Sequence, residues 1–229
     1  MATTLTGQET QEHLREEKTF AEVIFGGAIG EGLLAAATAV LAIIALTGRM
    51  AEILLPVGLI VLGASLVFEG AAVTARLYNM LNENTRNRFN FSELGIGTTV
   101  ESIIGIFAIV LGILALLQIQ PLVLVPAAIV AIGACLILEA ASNARINALP
   151  VPVEKKQEHP FIDFVTNQTI WAATEIQILV GMAGITLGIL ALCGIQPLTL
   201  SLAALLIISA AALISGMAMS GKMLKKVKT

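Results

Sequence analysis

The chain has 229 residues, is 57% hydrophobic and 13% charged, and carries a formal net charge of −3 with a mean hydropathy of +0.91. Soluble domains run at roughly 45–50% apolar and about 25% charged. This chain cannot cover itself with polar surface, so a soluble globular fold is excluded and lipid is the expected solvent.

Residues 1–19, MATTLTGQETQEHLREEKT, are polar and charged. They hold no apolar core of a signal peptide, and read as a cytoplasmic lead-in. A single transmembrane domain over 20–220 follows, and 221–229 form a basic tail. Within the domain, Leu33–Leu46, Ile103–Leu117 and Ile176–Met219 contain no charge. A bilayer core of roughly 30 Å needs about 20 helical residues, so each block fits one or two spans. The expected fold is all-α and polytopic, with six transmembrane helices.

Helix one is predicted over Phe20–Thr47 and helix two over Ala51–Tyr78, joined by the turn TGRM. Helix three covers Phe91–Gln118 and helix four Pro121–Arg145, joined by LQIQ. Helix five covers Phe164–Cys193 and helix six Pro197–Ser220, joined by CGIQ. Pro121 and Pro197 stand where a first helical turn tolerates proline. Pro56 and Pro126 lie about a turn deeper, so helices two and four are expected to start late or kink there. The linkers NMLNENTRNRFN and NALPVPVEKKQEHP carry turn-forming and Pro-rich chemistry.

These six segments form three tandem helical hairpins, about 20–78, 91–145 and 164–220. Anchored on Leu46, Leu116 and Leu192, they place Glu31, Glu101 and Gln177 fifteen residues before the anchor. Twenty-three residues after it stand Glu69, Glu139 and Ser215. Arg76, Arg145 and Lys222 stand about thirty after it. The third copy keeps the basic residue and loses both acids.

Twelve of the thirteen Lys and Arg residues lie in the termini, the long linkers or the helix ends beside them; Arg49 is the exception. Positive residues stay on the cytoplasmic side. Both termini and both long linkers are therefore expected inside a cell (inner) membrane, with the three short turns outside. Glycines at GxxxG spacing, Gly26 to Gly30 and Gly184 to Gly188, fit close helix packing, either within one chain or between copies. The partners expected are the bilayer and a second copy or another membrane subunit, with no nucleic acid.

The glutamates are the informative feature. Fifteen helical residues put Glu31 about 22 Å from the outer boundary, hence roughly 8 Å inside the cytoplasmic one. Glu69, Glu101 and Glu139 share that level, so each hairpin is expected to bring two carboxylates together, and the two hairpins together up to four. A carboxylate at bilayer depth is costly and marks a functional site by default. Glu31, Glu69, Glu101 and Glu139 are thus candidates to bind a proton or an ion. They are equally open to a structural reading, in which Arg76 and Arg145 are ion-pair partners. Arg76 follows Glu69 by two helical turns on roughly the same face.

There is no His or Cys cluster with metal-ligand spacing, no nucleophile–base pair and no phosphate loop. No enzyme and no catalytic residue are expected; the sequence names no cofactor, and a metal stays open. Cys135 and Cys193 fall in different hairpins and read as small apolar residues.

The segments GILALLQIQP (112–121), with Gly133, and GILALCGIQP (188–197) resemble the short-repeat membrane proteins related to HdeD. The resemblance implies a six-helix inner-membrane protein associated with acid stress and without a defined catalytic residue. Two functions remain open: a non-enzymatic protein acting by assembly in, or stabilisation of, the membrane, and a proton- or cation-linked transporter or channel using the glutamates.

Overall fold

A computed structural model describes the backbone of residues 30–83, 91–148 and 160–227, and the side chains of 30–71, 100–141 and 175–214. Every described element is a helix. There are six: α1 (Gly30–Leu46), α2 (Ala51–Glu83), α3 (Phe91–Leu116), α4 (Pro121–Ala148), α5 (Pro160–Leu192) and α6 (Pro197–Val227). Four of them, α2, α4, α5 and α6, are long and apolar enough to cross a membrane.

The turns fall at 47–50, 117–120 and 193–196, which are TGRM, LQIQ and CGIQ. The ends of α3 and α5 close alike. Gln118 N–H donates to the Ala115 carbonyl at 3.0 Å and Ile119 N–H to the Leu114 carbonyl at 3.1 Å. Gly194 and Ile195 make the corresponding bonds to Ala191 and Leu190. This is the Schellman arrangement, which satisfies the last carbonyls of a helix and needs a left-handed residue at its centre. Gly194 supplies it at φ 83° and Gln118 at φ 62°.

Helices two and four do not start late. They begin at Ala51 and Pro121, with Pro56 and Pro126 inside them. Each proline stands a turn and a half from its helix start, where the N–H it lacks would close one of the earliest helical bonds. Its carbonyl then serves the packing: a Cβ built on Gly112 would lie 3.1 Å from the Pro56 carbonyl oxygen, and one on Gly188 3.1 Å from that of Pro126.

Those contacts belong to α2 with α3 and α4 with α5, the most extensively packed pairs among α2 to α6. Neither is a pair joined by a short turn. Their backbones touch at glycine: a Cβ on Gly63 would meet the Gly105 carbonyl oxygen at 2.7 Å, and the converse holds at 2.7 Å. Gly133 and Gly181 repeat the relationship at 2.7 and 2.6 Å. Close backbone approach of this kind is what small residues permit between apolar helices. Gly184 faces Ile208 and Gly58 faces Leu205, so these glycines, too, are engaged within the chain.

Helices α2, α4 and α6 also touch one another. Their facing side chains fill the centre: Leu59, Leu62 and Leu66 from α2, Val125, Ile129 and Ile132 from α4, and Leu205 and Ile208 from α6. Apolar side chains on the opposite faces stay exposed. Leu33, Ile103, Ile106, Leu179 and Met182 are examples on α1, α3 and α5. An apolar centre within an apolar exterior is the pattern of helices solvated by lipid.

Candidate functional site

Glu69 on α2, Glu101 on α3 and Glu139 on α4 converge. One carboxylate oxygen from each lies within 4.8 Å of the others. Glu69 and Glu101 are 4% and 1% exposed, and Glu139 is half-buried. Helices α2 and α3 are brought together by the Gly63–Gly105 contact, about one and a half turns away on α2 and about one turn away on α3, which leaves no room for side chains between the backbones.

The hydrogen bonds define the order of the cluster. Glu101 and Glu69 are hydrogen-bonded side chain to side chain, and Glu139 lies close enough to Glu101 to act on it electrostatically. Two carboxyl groups can bond to each other only by sharing a proton, or face each other across a cation. Glu101 Oε1 is buried and has no hydrogen-bond partner. On the far side, Gln177 Nε2 of α5 donates to Glu139 Oε1 at 3.1 Å. Four consecutive helices, α2 to α5, therefore contribute one polar side chain each.

The sequence leads one to expect two acids together in each hairpin, and up to four from the two hairpins. Glu101 and Glu139 of the second hairpin do meet, Glu69 of the first joins them, and Glu139 also meets Gln177 of the third. In the sequence Gln177 is readable only as the residue standing at the missing-acid position. Its amide bonds Glu139 without needing a shared proton, which keeps the third hairpin in the cluster. Glu175 is exposed on the same helix.

Glu31 is the fourth acid and is not one of the 4.8 Å trio. It is 2% exposed, on α1, where its backbone carbonyl accepts a 3.2 Å bond from Ser65 Oγ of α2. The side chains of Arg76 and Arg145 lie outside the described residues, as does that of Ser215. Arg49 is the only Lys or Arg whose side chain is described, and it stands in the turn at the other end of the helices. Cys135 is buried and Cys193 exposed; neither is in a disulfide.

At that other end, a cavity of 480 Å³ is lined by Ala45, Leu46, Glu52, Leu198 and Leu202, among others. It touches none of the four acids. Between it and the trio lies the packed Leu, Ile and Val centre of α2, α4 and α6.

Comparisons of this chain with protein-family models, with curated proteins and with solved structures give no match.

Proposed function

We propose that the chain is a non-enzymatic integral membrane protein of six transmembrane helices in three hairpin repeats, acting by stabilisation of, or assembly in, the membrane. The observation that carries this reading is the burial of three of the four acids against a packed apolar core on the side of the short turns. Glu31, Glu69 and Glu101 are buried, and the helix centre beyond them is filled by side chains of a hydrophobic core. A transport pathway at this level needs water or an ion to pass that core. A packed interior of leucine and isoleucine offers neither partner atoms nor space for it.

The like contacts of Gly63 with Gly105 and of Gly133 with Gly181 support the repeat arrangement. The spacing of Glu31, Glu101 and Gln177 supports it too. Inner-membrane location with cytoplasmic termini rests on the placement of the basic residues. A stress-related role rests on the HdeD-like turn segments. Copies of the chain, or another membrane subunit, would meet the exposed apolar faces of α1, α3 and α5, since the glycines described above are used within the chain.

The test is flux. Purified protein in proteoliposomes, loaded with pH-sensitive and cation-sensitive dyes, is expected to leak no faster than empty vesicles. The doubly substituted protein, Glu69→Gln with Glu139→Gln, is expected to behave the same. A flux in the parent that this variant abolishes would overturn the proposal in favour of a proton- or cation-linked transporter.

A further inference from the structure

We infer that Glu69, Glu101 and Glu139 form a binding site for one hard divalent cation of the calcium class. The inference deepens the sealed-bundle reading, in which the cluster is a structural site. Three observations carry it, and the first is geometric. Oxygens no more than 4.8 Å apart share a point at most about 2.8 Å from all three, within small adjustment of the roughly 2.3–2.6 Å of calcium–oxygen bonds. A site of flexible carboxylates from three helices suits calcium's loose geometry better than magnesium's strict octahedron.

The second is Glu101 Oε1. The residue is 1% exposed, and this oxygen has no hydrogen-bond partner. A buried acceptor left without a donor is costly, and a cation beside the Glu69–Glu101 pair removes that cost. Third, the donor atoms come from three separate helices, and Gln177 holds Glu139 Oε1 from a fourth at 3.1 Å. An amide bonded to a ligand carboxylate fixes its orientation, as outer partners of metal ligands do. A cation at this point would tie α2, α3 and α4 together at the end of the helices opposite the short turns.

The experiment uses the full chain in detergent, stripped with a chelator, then titrated with calcium chloride by calorimetry alongside thermal unfolding. One saturable site and a rise in Tm are expected. Magnesium is expected to bind at least about tenfold more weakly, because it demands tighter octahedral geometry. Glu101→Gln is expected to abolish the calcium-dependent rise, whereas Glu175→Gln, on the exposed face of α5, keeps it. Should Glu101→Gln not fold, Gln177→Leu serves: it removes only the orienting amide and is expected to weaken calcium about 10–100-fold. A parent chain with no calcium response, or a Gln177→Leu chain that binds as the parent does, overturns the inference. Absent binding together with absent flux overturns the cation site alone. Binding accompanied by glutamate-dependent flux overturns the sealed-bundle reading instead.

Discussion

Gln177 of α5 donates its side-chain amide to Glu139 of α4 across 3.1 Å. In the hairpin alignment Gln177 occupies the position of Glu31 and Glu101. The same seam that sets Glu101 against Glu69 thus sets an amide against Glu139. Where two carboxyls need a proton or a cation between them, an amide and a carboxylate need nothing further. One seam is self-sufficient, and the other requires a third party.

Gln177→Leu should therefore destabilise the protein even without any added ion. The substitution leaves Glu139 Oε1 without this donor in a half-buried site, a loss of about 1–3 kcal/mol. Chemical unfolding in detergent, followed by helix signal, measures it. A variant as stable as the parent would mean that the bond contributes nothing.

Glycine packing gives a sharper contrast. In Gly63→Ala and Gly133→Ala the new methyl would meet a backbone carbonyl oxygen at 2.7 Å, and backbone cannot rotate away as a side chain does. Each should cost about 1–3 kcal/mol or more, the range for overpacking a tight core. Around Gly32, also within a helix, a Cβ would meet nothing within 4 Å. Gly32→Ala should accordingly stabilise by up to about 1 kcal/mol through helix propensity. The same unfolding measurement applied to all three checks the sign as well as the size.

The turns are legible in the sequence and the seams are not. Glycine, glutamine and proline punctuate TGRM, LQIQ and CGIQ, and these four-residue turns lie where that punctuation puts them. The acids are legible as a level, because residue count along a helix converts directly to depth. The meeting of Glu101 with Glu139 follows from their shared hairpin, but it is not legible that Glu69 joins them and Glu31 does not. Every helix here is apolar on most of its circumference, so periodicity does not say which face meets which neighbour. Pairing within a hairpin is the natural expectation for helices joined by short turns. The closest approach is decided instead by glycines on α2 and α3, or on α4 and α5, whose meeting depends on three-dimensional register. Pro56 and Pro126 do not delay their helices, which begin five residues earlier at Ala51 and Pro121, because a missing N–H at the sixth position removes a single early bond while the turns before it still form.

The left-handed turn residues can be exchanged. Gln118 holds φ 62° where Gly194 holds φ 83° in the matching turn. A non-glycine residue in this region costs roughly 1–2 kcal/mol, partly offset by the entropy glycine loses on folding. Gln118→Gly should raise stability by about 0.5–1 kcal/mol, and Gly194→Gln should lower it by a similar amount. Opposite shifts in Tm of the two variants are the expected result; shifts of the same sign would place the strain elsewhere.

The two native cysteines test the proposed orientation without any substitution. Cys193 is exposed in the turn after α5, and Cys135 is buried within α4. Thiol reactivity needs access to the thiolate, so a membrane-impermeant maleimide should label one site and spare the other. With the short turns outside, as the basic residues predict, Cys193 should be labelled in intact spheroplasts. Cys135 should react only after denaturation. Mass spectrometry of the purified protein separates one adduct from two and locates each. Labelling of Cys193 in inverted vesicles but not in spheroplasts would reverse the orientation and place the acid cluster near the outer face instead.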